Sequence, residues 1–272
     1  MTLVFVHGKG GLEARSLWLA PLTAGLNAQG YPTLNGPHDA VLQADYLEAL
    51  LAGADGPRPE VQWVRPIGRQ QRQDWADFLL RREALAEAID HARNQPRGPN
   101  LSLLGGSLVP DAVAESMEAV ASYRGSGEHR HAAWRAVLDD LPEQGGVIVI
   151  AHSLGSILMI DLLKRLPPLL TVDLLVTIGS PMGVKSLRAH HHGLDEPGQF
   201  PAAQVRAWVN VYDPGDAITV GRGASQFFPA ALDVPVHTGG SHSLTAYMSH
   251  PVVAAAVGFA AFGRRPVARE DA

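Results

Sequence analysis

The feature that most constrains the fold is a set of apolar runs, rich in β-branched residues, that are nearly continuous. The runs are 3–6, 147–151, 174–178, 208–212 and, more weakly, 234–236. Such runs are typical of strands in a parallel sheet whose two faces are both covered. Helical patterns lie between them, at 13–29, 153–166 and 243–262, the last with an expected break at Pro251. This alternation predicts an α/β fold with a doubly wound, mostly parallel sheet.

The stretch from about 31 to 146 does not follow this alternation. It holds few strand-like runs, and its helical patterns are 75–94, 111–122 and 131–141. We therefore expect a single domain over 1–265 with a helical insertion or cap at about 31–146. Residues 266–272 are expected to form a disordered tail.

Composition excludes several classes of protein. Apolar residues make up 46% and charged residues 18%, which argues against a disordered chain. The absence of Cys excludes disulfide scaffolds, thiolate metal centres and thiol nucleophiles. A net charge of −5 argues against generic binding to nucleic acid or anionic lipid. With no secretory signal and no apolar run of membrane-spanning length, the chain is expected to be cytoplasmic.

No cofactor or metal is predicted. The glycines at 8, 10 and 11 lack the spacing of known phosphate-binding loops. Three consecutive histidines stand at 190–192, but neighbouring residues in a loop rarely converge on one ion. We interpret them as part of a solvated loop.

The most informative window is 147–156, Val-Ile-Val-Ile-Ala-His-Ser-Leu-Gly-Ser. An apolar strand leads directly into a small-x-Ser-x-Gly sequence and then into a helical pattern. A sharp strand-to-helix turn of this kind exposes the Ser153 hydroxyl at a helix N-terminus, and it needs small residues such as Ala151 and Gly155. Ser also caps helices frequently, but the strand–helix context favours a nucleophile.

Several windows resemble the α/β-hydrolase family of serine esterases and lipases, in particular small bacterial members of uncertain substrate. The windows are 3–11, with its His-Gly loop, 147–156, 174–183, 208–216 and 238–242. They cover roughly half of the chain. The resemblance implies the α/β-hydrolase fold in a minimal version of about six strands, because the chain begins at what would be the third strand of the family.

The family order of a catalytic triad is Ser, then acid, then His. Ser153 precedes Asp216 by 63 residues, and Asp216 precedes His242 by 26. Asp213 is a second candidate for the acid, but its Asp-Pro-Gly context suits a turn, and the resemblance to lipases with a Tyr-x-x-x-Asp loop favours Asp216. His242 lies in a Gly-Gly-Ser-His-Ser loop, where an imidazole could reach the nucleophile.

Two backbone N–H groups are needed to stabilise an oxyanion. Leu154, directly after the nucleophile, is one candidate. Lys9, after His7-Gly8, is the preferred second candidate, with Gly10 as its alternative. The predicted function is hydrolysis of a carboxylic ester, a small acyl or lipid-like molecule, through an acyl-enzyme. A thioesterase or acyltransferase would use the same residues. A binding module or a partner-regulated effector on a hydrolase scaffold is the alternative, and a protein partner is left open.

Overall fold

The computed structural model describes residues 1–8, 17–34, 39–93, 110–187, 194 and 196–263. Within these residues the chain forms a six-stranded parallel sheet with the order β2-β1-β3-β4-β5-β6. The strands are β1 (Thr2–Val6), β2 (Ala40–Ala44), β3 (Gln144–His152), β4 (Leu169–Ile178), β5 (Trp208–Tyr212) and β6 (Leu232–Pro235). The helices are α1 (Leu19–Ala28), α2 (Leu47–Ala52), α3 (Gly68–Arg93), α4 (Pro110–Gly125), α5 (Gly127–Asp140), α6 (Leu154–Leu162), α7 (Leu244–Met248) and α8 (Pro251–Phe262).

Two apolar layers cover the two faces of the sheet. In β1, Val4 and Val6 belong to the layer that includes side chains of α5 and α6. Leu3 and Phe5 belong to the opposite layer, with side chains of α1 and α8. Because both faces are covered, the central strands β1, β3, β4 and β5 are buried along most of their length, which explains their nearly continuous apolar runs. The predicted α/β class and parallel sheet are confirmed.

Within the described residues of the expected helical insertion at 31–146, the structure has a strand, β2, that the sequence patterns do not predict. Residues Ala40–Ala44 form β2, which pairs with β1 in parallel register from Thr2 opposite Ala40 to Val6 opposite Ala44. β2 lies at the edge of the sheet, and its first four residues are exposed or only partly buried. An edge strand therefore lacks the long apolar run that identifies the central strands.

The longest described helix, α3, lies at the edge of the sheet where the strands begin. Arg81 Nε donates to the carbonyl of Arg206, shortly before β5 (3.1 Å). Arg82 Nη1 donates to the carbonyl of Pro229, shortly before β6 (2.8 Å). α3 is thus held at the amino ends of the strands, whereas Ser153 follows the carboxyl end of β3.

The order in which the chain adds strands changes direction between β1 and β3. The connection from β1 leads to β2 on one side, and β3 and the later strands add on the other side of β1. In open parallel sheets, binding sites lie at this switch in direction, at the carboxyl ends of the strands.

In the C-terminal helical pattern, the predicted break at Pro251 is confirmed, because α7 ends at Met248 and α8 begins at Pro251.

Candidate active site

Ser153 stands on the sharp turn between β3 and α6. Its backbone has φ 51° and ψ −124°, in a region that residues with a side chain rarely occupy, at a cost of roughly 1–3 kcal/mol. The adjoining strand holds the turn in place, since the Ser153 N–H donates to the carbonyl of Ile178 at 3.0 Å. A Cβ at Gly155 would lie 2.5 Å from the carbonyl oxygen of Val6. The small residue expected at 155 is therefore required by the close approach of β1.

A chain of hydrogen bonds joins Ser153 to His242 and Asp216. His242 Nε2 lies 2.9 Å from Ser153 Oγ, and His242 Nδ1 lies 2.7 Å from Asp216 Oδ2. Because a carboxylate only accepts hydrogen bonds, Nδ1 carries the proton and Nε2 accepts from the Ser153 hydroxyl. The structure thus brings together Ser153, His242 and Asp216, the three residues that the sequence predicts as a site.

The Asp216 carboxylate is held from two further sides. Asp216 is 1% exposed, and its Oδ1 accepts the backbone N–H of Ile218 at 2.9 Å. Its Oδ2 also accepts the hydroxyl of Tyr247 at 2.8 Å. The same hydroxyl accepts the backbone N–H of Asp213 at 3.0 Å. Tyr247 therefore holds both the carboxylate of Asp216 and the backbone of Asp213. No sequence motif indicated this residue.

Asp213, the alternative acid, has a different environment. Its Oδ2 accepts from Thr238 N (2.6 Å), Thr238 Oγ1 (2.8 Å) and Gly240 N (3.0 Å), and its Oδ1 accepts from Gly215 N (2.7 Å). Burial raises the pKa of this carboxyl, but the hydrogen bonds from Gly215, Gly240 and Thr238 outweigh burial and lower it to about 2. Asp213 thus ties the loop that carries His242 to the end of β5.

Of the two predicted oxyanion donors, Leu154 is among the described residues and Lys9 is not. The N–H of Leu154 is in the first turn of α6, where backbone donors have no acceptor within the helix. Lys9 lies outside the described residues. Gly8, directly before it, is described, and a Cβ at that position would lie 2.5 Å from Ser153 Cβ. The backbone at Gly8 therefore lies immediately beside the Ser153 side chain.

A second imidazole, that of His152, stacks on His242. The ring centroids are 4.9 Å apart and the planes are 29° apart. His152 is 5% exposed, and both of its ring nitrogens are buried. Burial, followed by the neighbouring His242 and His7, holds the pKa of His152 well below its usual range. His152 is therefore neutral and presents a flat aromatic surface to His242.

A cleft of about 610 Å³ lies where β3 and β4 begin, at the end of these strands opposite to Ser153. It is lined by residues that include Gln144, Arg165, Pro167 and Leu169. Gln144 begins β3, whose nine residues extend over roughly 26 Å before Ser153. The cleft is thus separate from the Ser153 site.

Comparisons with known protein families, with curated proteins and with solved structures found no match for this chain. Among the described helices, none has the length and apolar character needed to cross a membrane. The described part of the chain contains no group of three or more His, Asp or Glu side chains that could hold a metal ion. The histidines at 190–192 lie outside it.

Proposed function

We propose that the protein is a serine hydrolase with the α/β-hydrolase fold and that it cleaves carboxylic esters. The observation that carries this proposal is the hydrogen-bonded chain from Asp216 through His242 to Ser153. The strained turn at Ser153 supports it, because such strain is concentrated at functional sites. So does the position of Ser153 at the switch in strand order, where parallel sheets place their ligands.

The sheet supports the assignment to this fold. Its six strands match the minimal version that the family resemblance implies. Ser153 follows β3, Asp216 follows β5 and His242 follows β6. This is the order Ser, acid, His that the family uses.

In the first half of the reaction, Ser153 Oγ attacks the ester carbonyl while its proton moves to His242 Nε2. Asp216 holds the Nδ1–H of His242 and stabilises the imidazolium that forms. The oxyanion of the tetrahedral intermediate accepts hydrogen bonds from the N–H groups of Leu154 and Lys9. His242 then gives its proton to the leaving alcohol, and the acyl group stays on Ser153.

In the second half, water replaces the alcohol. His242 takes a proton from the water, whose oxygen attacks the acyl carbonyl, and then returns a proton to Ser153 Oγ as the carboxylic acid leaves. The neutral ring of His152 lies against His242 throughout, so that the imidazolium formed at each step faces an aromatic surface and not a second positive charge.

The test combines a fluorophosphonate probe, which labels activated serines, with hydrolysis of p-nitrophenyl esters. The wild type should be labelled and active, whereas Ser153→Ala should lose labelling and at least about 10⁴-fold in kcat. Ser249→Ala, a serine between α7 and α8, serves as the matched control and should behave as the wild type. A wild type that is neither labelled nor active, or a Ser153→Ala variant that is still labelled, would overturn the proposal.

A further inference from the structure

The loop that follows Asp216 places two apolar side chains at the surface. Ile218 is 42% exposed and Val220 is 52% exposed. Val220 also has φ 55°, and with Ser153 it is one of two residues other than glycine with positive φ in the described chain. A β-branched residue rarely adopts this conformation, which persists only where the surroundings enforce it.

Hydrogen bonds join this loop to Asp213 and Asp216. The N–H of Ile218 donates to Asp216 Oδ1 at 2.9 Å, and Thr219 Oγ1 is within 2.9 Å of the carbonyls of Asp213 and Asp216. Through these hydrogen bonds the loop is attached to the carboxylate that orients His242. Ile218 is joined to that carboxylate directly.

The other side of the loop packs against the segment that follows β4. A Cβ at Gly183 would lie 2.9 Å from the carbonyl oxygen of Thr219 and 3.2 Å from Val220 Cβ. This segment begins at Ser180, whose Oγ accepts from Ser156 Oγ at 2.5 Å, and Ser156 lies in the first turn of α6. The apolar pair thus lies on the loop that follows β5, with Val220 against the segment that follows β4, at the carboxyl ends of the strands, after which Ser153 and His242 also lie.

We propose that Ile218 and Val220 form an apolar lip that contacts an alkyl chain of the ester substrate, so that chains of several carbons are preferred over acetyl or ethyl groups. This inference rests on the proposed function and names its substrate class. An exposed apolar pair on the loop that also holds the Asp216 carboxylate offers an alkyl chain a surface on which both lose water. Because both side chains are already half exposed without a ligand, no rearrangement is needed for contact.

The test uses Val220→Asn and Ile218→Ser. Asn adopts positive φ more readily than Val, so Val220→Asn should also raise the thermal midpoint by about 2 °C. Matched controls are Val64→Asn and Ile67→Ser, at 86% and 83% exposed positions in the segment between α2 and α3. Two series of esters are compared: p-nitrophenyl esters of increasing acyl length, and acetates of increasing alcohol length.

In the wild type, kcat/KM should rise with chain length in one of the two series, which identifies the alkyl group that the lip contacts. Each lip variant should lower the ratio of kcat/KM for the eight-carbon over the two-carbon substrate by about fivefold, while the controls keep the wild-type ratio. An unchanged ratio in both lip variants, with hydrolysis retained, would overturn the lip and leave the hydrolase standing.

Binding of decanoate to Ser153→Ala, measured by calorimetry, tests the lip without catalysis. Adding Val220→Asn should raise the dissociation constant about fivefold, and equal binding with and without this change would count against the lip. If the wild type is neither labelled nor active but decanoate binding still depends on Val220, the hydrolase proposal fails and the apolar lip stands.

Discussion

Replacing Asp213 by Asn tests how the loop that carries His242 is held. The Asp213 carboxylate accepts four hydrogen bonds, three of them from Thr238 and Gly240 in that loop. Asn has the same shape but only one acceptor oxygen, and its NH₂ group would face donors. We expect the variant to fold but to lose the stabilisation that depends on the negative charge.

The pKa of Asp213 gives the magnitude. It falls from an ordinary value of 3.8 to about 2 in the folded chain, which corresponds to roughly 2 kcal/mol of stability. Because the folded-state pKa is the lower one, this contribution is fully present above the ordinary value. It is lost as the pH falls toward 2. Asp213→Asn should therefore be less stable than the wild type by roughly 2 kcal/mol at pH 7, with the difference shrinking below about pH 4.

Urea unfolding at pH 7, 5, 4 and 3 measures this difference, with the exposed Asp55→Asn as the matched control. The control should stay within about 0.5 kcal/mol of the wild type at every pH. A difference for Asp213→Asn that is as small as that of the control, or one that does not change between pH 7 and pH 3, would refute the reasoning.

Three further substitutions probe the surroundings of the site. Tyr247→Phe removes one hydrogen bond to the carboxylate that orients His242. It should lower the free energy of unfolding by about 1–2 kcal/mol. It should also lower kcat with little change in KM, which steady-state kinetics would measure. Gly8→Ala places a Cβ 2.5 Å from Ser153 Cβ, so labelling by the fluorophosphonate should slow markedly; labelling at the wild-type rate would contradict this close approach. His152 is neutral in the folded chain because its pKa is held well below the usual range. As the pH falls below about 6.5, the free energy of unfolding of the wild type should therefore fall relative to that of His152→Phe, by up to about 1.4 kcal/mol per pH unit. Urea unfolding of both proteins at pH 7 and pH 5 measures this; the same difference between them at both pH values would contradict it.

The central strands and the turn at Ser153 could be predicted from the sequence because their causes are local. A strand covered on both faces must be apolar at nearly every position, and that pattern is visible without knowledge of its neighbours. The turn needs small residues at 151 and 155, which are adjacent in the chain. The break at Pro251 is also local, because proline lacks a backbone N–H.

The edge strand β2 and the placement of α3 depend on partners that are distant in sequence. β2 is defined by pairing with β1, about 38 residues earlier, and half-exposed residues carry no pattern that identifies such a partner. α3 has apolar residues at helical spacing, but that pattern does not say which edge of the sheet the helix will cover. Its position at the amino ends is decided by contacts such as that of Arg82 with Pro229.

By itself, the sequence determined an α/β chain with a parallel sheet, a serine on a strand-to-helix turn, and a chain order compatible with Asp216 and His242 as its partners. Asp213 and Asp216 are only three positions apart, so the chain order fits either of them. The tertiary structure shows that the carboxylate of Asp216 reaches the imidazole of His242, 26 residues later, whereas that of Asp213 reaches Thr238. The tertiary structure also placed Tyr247 and His152 around that imidazole. A hydrogen bond or a ring stack depends on distances of a few ångströms between elements that fold together, and the linear order of residues does not contain those distances.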